Sequence, residues 1–96
     1  MKTTEKIESI TIIGRKWWDR VNGNTYHTAE ILVNGESLHK TGMTYGYDDH
    51  YIQTAAAWLK SNGYIHGDKI YPLSLYCRDN GIAYYATANY GRKRDL

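Results

Sequence analysis

The sequence predicts an α+β fold in which one helix packs on one face of an antiparallel sheet. Three observations support it: strand-like runs separated by Asn-Gly turns before residue 42, one amphipathic stripe in the middle, and a second run of β formers near the end. The expected element order is β-β-β-α-β-β. Ninety-six residues suffice for a single domain spanning 1–96 but not for two, with mobile ends at about 1–5 and 90–96.

The first strand is read from ITIIGRKWWDRV, rich in β-branched and aromatic residues, and the second from TYHTAEILV. With Asn22, Gly23 and Asn24 as the loop between them, Val21 faces Thr25, Trp17 pairs with Ala29, Ile13 with Val33, and Lys16 with Glu30. Alternation then sends Ile13, Trp17, Val21, Ala29, Ile31 and Val33 to the core, and Lys16, Trp18, Arg20, Tyr26, Thr28 and Glu30 to the outside. Asn34-Gly35 is a type I′ turn signal, because both central residues of that turn need positive φ. It leads into a third strand around residues 37–41, with Leu38 inside opposite Ile31 and His39 outside opposite Glu30.

Ile52, Ala55, Ala56 and Leu59 follow at i, i+3, i+4 and i+7, which predicts a helix over about residues 49–62. Asp48 and Asp49 suit its start. Gly63 suits a left-handed residue just past its end, with Tyr64 packing back on Leu59 or Trp58. The segment YPLSLYCRDNGIAYYATANY then reads as a second hairpin opened by Pro72 and turned at Asn80-Gly81. It would pair Cys77 with Tyr84 and Leu75 with Ala86, and bring Tyr76 against Tyr85.

Composition narrows the function classes. Hydrophobic residues at 42% and charged residues at 23% describe an ordinary folded domain rather than a disordered chain. A net charge of +2 is too small to require a polyanionic partner and has the wrong sign for an acidic mimic of DNA. The lone Cys77 excludes an internal disulfide and suits a buried small hydrophobe. No apolar run approaches the ~18 residues of a membrane helix, and the expected location is the cytoplasm, away from membranes.

Catalytic constellations are thin, and the expectation is a non-enzyme with no catalytic residue, metal or cofactor. Asp48, Asp49 and His50 are consecutive, so a helix does not aim all three at one ion; capping and the helix dipole account for them. His27, His39, His50 and His66 lack metal-site spacing, and no glycine pattern forms a phosphate cradle. Only Glu30, His39 or Asp48 would serve an enzyme or nucleotide-binding reading.

Binding has better support. Ten Tyr and three Trp but no Phe mean that nearly every large ring carries a polar handle. In the register above, Lys16, Trp18, Arg20, Tyr26, Tyr76 and Tyr85 share the outer face, and clustered aromatic and basic residues suit a protein partner. They equally suit unpaired bases of DNA or RNA stacked beside phosphate-binding cations, or a homodimer closed through this face. Tyr45 and Tyr47 flank Gly46 in the loop before the helix and form a secondary recognition surface. Arg92, Lys93 and Arg94 make a short basic tail.

The runs IIGRKWWDRVNGNTYHTAEILVNGE and TYGYDDHYIQTAAAWLKSNGYI, covering roughly residues 10–65, resemble small proteins encoded by bacteriophages and bacterial mobile elements. That resemblance implies stoichiometric binding, such as inhibition of a bacterial host-defence protein or nucleoprotein. Separately, three strands followed by a helix are similar in layout to integrase-type DNA-binding domains, though the small net charge fits poorly with many phosphate contacts.

Overall fold

A computed structural model describes residues 7–46, 50–67 and 70–92. It is α+β, with a mixed five-stranded sheet and two helices. The elements are β1 (Ser9–Asp19), β2 (Asn24–Val33), β3 (Glu36–Lys40), β4 (Thr44–Tyr45), α1 (His50–Ser61), α2 (Leu73–Asp79) and β5 (Ala83–Tyr90). The sheet runs β3-β2-β1-β5, with β4 also pairing β2. The ends at 1–5 and beyond 92, with Tyr47, Asp48, Asp49, Lys93 and Arg94, lie outside the described residues, while β5 carries ordered strand as far as Tyr90.

The first hairpin forms where expected but in another register. β1 and β2 pair Asp19 with Asn24, Trp17 with Tyr26, Lys16 with His27 and Ile13 with Glu30. The cause is Asp19. Its carboxylate accepts from the amides of Val21 and Asn22 and from the Asn22 side chain, and its carbonyl accepts from Gly23 at 2.8 Å. This side-chain turn stops β1 at Asp19 and lengthens the loop to residues 20–23. The offset from the expected register is odd, so every β1 side chain changes face.

The core therefore takes Ile10 and Ile12 from β1, with Ala29, Ile31 and Val33 from β2, and not Ile13, Trp17 or Val21; Val21 is 92% exposed in the loop. The predicted Lys16–Glu30 ion pair is replaced by Arg15–Glu30 at 3.4 Å. At Asn34-Gly35 both residues have positive φ, 53° and 82°, as the turn requires. Beyond it a shift in register between Ile31 and Leu32 sets His39, rather than Leu38, opposite Ile31. His39 consequently lies on the helix side of the sheet, stacked on Trp58 at 4.8 Å.

Helix α1 matches its predicted span and buries Tyr51, Ala55, Ala56 and Leu59. Its end is a Schellman cap: Tyr64 N–H donates to the Leu59 carbonyl, Gly63 N–H to that of Lys60, and the Tyr64 ring stacks on Trp58.

The fourth expected strand is instead helix α2. Leu73 and Cys77, four residues apart, are both buried, so the short apolar run has helical spacing. Pro72 is its N-cap residue rather than the start of a strand. Asn80-Gly81 caps this helix: Ile82 N–H donates to the Cys77 carbonyl at 2.8 Å, and Gly81 has a φ of 68°. Because a helix and not a hairpin delivers the chain to β5, that strand lies parallel to β1, with Thr11 beside Tyr85 and Arg15 beside Asn89. Cys77 therefore does not pair with Tyr84, nor Leu75 with Ala86.

Both helices contribute to a core on one side of the sheet, with Tyr84, Ala86 and Ala88 of β5 packed against it. Among the described residues no helix packs on the other side. No helix among them is long and apolar enough to cross a membrane.

Candidate functional site

The uncovered sheet face carries Thr11, Ile13, Arg15 and Trp17 of β1, Tyr26, Thr28, Glu30 and Leu32 of β2, Tyr45 of β4, and Tyr85, Thr87 and Asn89 of β5. Its most organised feature is a row of three rings on three strands. Trp17 stacks on Tyr26 with centroids 5.7 Å apart and planes at 23°, and Tyr45 meets Tyr26 edge-on at 5.8 Å. Register makes this row, because Trp17 is directly opposite Tyr26 and Tyr26 directly opposite Tyr45. Tyr45 is 54% exposed, so the row ends in solvent.

Polar groups border the rings. Arg15 Nη1 reaches Glu30 Oε1, and Ser37 donates to Glu30 Oε2 at 2.8 Å. The Ser37 hydroxyl and then the Arg15 guanidinium hold the Glu30 carboxyl below its ordinary pKa. Lys40 faces Glu30 across the strands. Thr28, next to Arg15 in the ladder, buries its hydroxyl oxygen without a hydrogen-bond partner.

Of the residues expected to share a contact face, Tyr26 and Tyr85 are on this one, and Tyr45, expected on a separate loop surface, joins them. Tyr85 lies beside Thr11, six residues along β1 from Trp17, or about 20 Å at ~3.3 Å per residue. Trp18, 49% exposed, is on the helix side, because it alternates with Trp17. Lys16 is buried there, its ammonium 5.4 Å from the Tyr51 ring centre and 5.5 Å from that of Tyr90. Arg20 is exposed in the first loop. Tyr76 belongs to α2, where its hydroxyl accepts from His66 N–H at 3.2 Å and it helps line a cleft of about 640 Å³ with His66, Tyr71, Leu75 and Asp79. It does not meet Tyr85 across a hairpin. Ile13, Trp17 and Arg15 are open-face residues that the expected register turned inward or left unassigned; Asp19 followed by Asn22 was the signal that could have found them.

A second polar cluster lies under the start of α1. His27 is fully buried, with Nδ1 3.1 Å from the Gly46 carbonyl and Nε2 2.9 Å from the Thr54 hydroxyl. A carbonyl only accepts, so Nδ1 carries the proton and Nε2 accepts from Thr54. Burial lowers the His27 pKa; the Gly46 bond opposes that, and the charges of His50 and Lys16 add to it. The His50 ring is 5.4 Å away. These groups tie β4 and α1 to β2. Among the described residues no three His, Cys, Asp or Glu side chains gather in a way that could hold a metal ion.

No protein-family model, curated protein or solved structure matches this chain.

Proposed function

We propose that the chain is a non-catalytic binding protein that engages a bacterial host protein or nucleoprotein through the open face of its sheet. In this reading it is a phage or mobile-element product acting by stoichiometric occupation in the host cytoplasm. The observation that carries the proposal is the Trp17–Tyr26–Tyr45 row: preorganised rings with polar tips, on a rigid sheet, with no helix over them among the described residues. Aromatic anchors beside arginine are enriched where protein interfaces concentrate their energy. A protein is favoured over nucleic acid because the cations near the row are partly offset: Arg15 is paired with Glu30, and Lys40 faces that same carboxylate-bearing residue.

The test is affinity capture from bacterial lysate with the wild-type chain and with a Trp17→Ala/Tyr45→Ala variant, followed by titration of the recovered partner. The reading requires one protein retained by the wild type and released by the double variant, with weak dependence on salt. Retention that ignores both substitutions removes the open face from consideration. Binding to single-stranded DNA or RNA that collapses steeply with salt would instead establish the stacking alternative.

A further inference from the structure

The two outer edges of the sheet differ in kind. β3 is five residues long, carries Glu36 and Lys40, and meets β2 with a register irregularity. Charge, shortness and irregularity all deter strand addition. β5 has none of these: its eight residues, AYYATANY, contain no charge and no proline, and its register against β1 is unbroken. It also displays two large rings, Tyr85 at 62% and Tyr90 at 68% exposure.

Among the described residues no strand pairs with the far side of β5, and the direction of the backbone groups there follows from its pairing with β1. Ala83 N–H donates to the Glu8 carbonyl and Gly91 N–H to the Lys16 carbonyl. Odd-numbered residues of β5 thus turn their backbone groups toward β1, and Ala86 and Ala88 turn theirs to the outer edge.

We propose that this edge joins two copies of the chain, β5 running antiparallel to β5 of the second copy about a two-fold axis through Thr87. The strand is complementary to itself in this register. Ala86 and Ala88 of the partner subunit exchange N–H···O=C bonds, and Ala88 does the same with the partner's Ala86. Thr87 meets its own copy on the open face, a β-branched pair of the kind that supports cross-strand packing. Tyr85 comes against Asn89 of the partner subunit, and no charge on one strand faces a like charge on the other. Two five-stranded sheets become one, with a ring row on each half.

The experiment is sedimentation velocity from micromolar to near-millimolar concentration, together with cysteine cross-linking. Residues facing each other in a non-hydrogen-bonded antiparallel pair have Cα atoms about 4.5 Å apart, within disulfide range. Thr87→Cys should therefore form a covalent dimer on mild oxidation, while Tyr85→Cys, offset from its own copy, should not. Thr87→Lys should sediment as a monomer wherever the wild type is dimeric, with an unchanged circular dichroism spectrum. A wild type that stays monomeric throughout, a dimer indifferent to Thr87→Lys, or equal cross-linking of the two cysteine variants overturns the proposal.

Discussion

Asn62 and Asn80 occupy equivalent positions at the ends of the two helices. Each side-chain amide donates to the carbonyl four residues back, Trp58 at 2.9 Å and Tyr76 at 2.8 Å, and each is followed by a glycine at positive φ. The two caps should have similar worth. Replacing Gly63 or Gly81 by Ala places a Cβ on a left-handed residue, which should cost about 1 kcal/mol in urea denaturation.

Asp19 sets the register of the first hairpin. Asp19→Ala removes the acceptor of two amides and one side chain, and an expected loss of about 1–3 kcal/mol follows from leaving those donors to water or unpaired. Chemical denaturation measures it. A loss near zero would show that the loop is set by something else.

Gly14 is required by contact rather than by φ. A Cβ there would sit 2.6 Å from Tyr51 Cδ2, inside the core. Gly14→Ala should destabilise by about 1–3 kcal/mol through overpacking. Combining it with Tyr51→Leu should cost less than the sum of the two single changes, which a double-mutant cycle reads directly.

Stability should fall with acid through His27. Its pKa is lowered in the fold from the ordinary value of 6.5, so the unfolded chain takes up the proton first. The contribution is intact above about pH 6.5 and is lost as pH drops from there toward the lower folded value. Thermal unfolding at a series of pH values between 7 and 5 should show the decline, and His27→Gln should flatten that part of the profile at lower overall stability.

Cys77 should be inert while the protein is folded. Burial raises its thiol pKa to about 11, leaving little thiolate at neutral or mildly alkaline pH. Labelling with a thiol reagent should be slow in buffer and fast in denaturant; rapid labelling of the native chain would contradict the burial of α2 against the sheet.

How much was legible in the sequence depended on how local each signal was. Helix α1 and its cap were readable because Ile52 to Tyr64 contain their own period and their own stop. The α+β class followed from the same stretch and the strand runs before it. Asn-Gly, in contrast, serves two purposes here: at Asn34-Gly35 it turns a hairpin, whereas at Asn62-Gly63 and Asn80-Gly81 it ends a helix. Only the residues before it separate these uses, and LSLYC fits either spacing when read alone. The contact face failed for a different reason. Trp17 and Trp18 do part to opposite sides, as alternation demands, but which goes where depended on Asp19 and a three-residue difference in pairing. Tyr26 kept its predicted side because β2 pairs on both edges in keeping with its own alternation of apolar and polar residues.

Since the sheet is coated on one side only among the described residues, adjacent positions along β1 answer to different demands. Ile12, Gly14 and Lys16 are fixed by what lies over them, while Ile13, Arg15 and Trp17 can change without disturbing the interior. If the open face binds as proposed, a lineage of such chains could exchange one target for another by rewriting every second letter of a strand and leaving the scaffold beneath untouched.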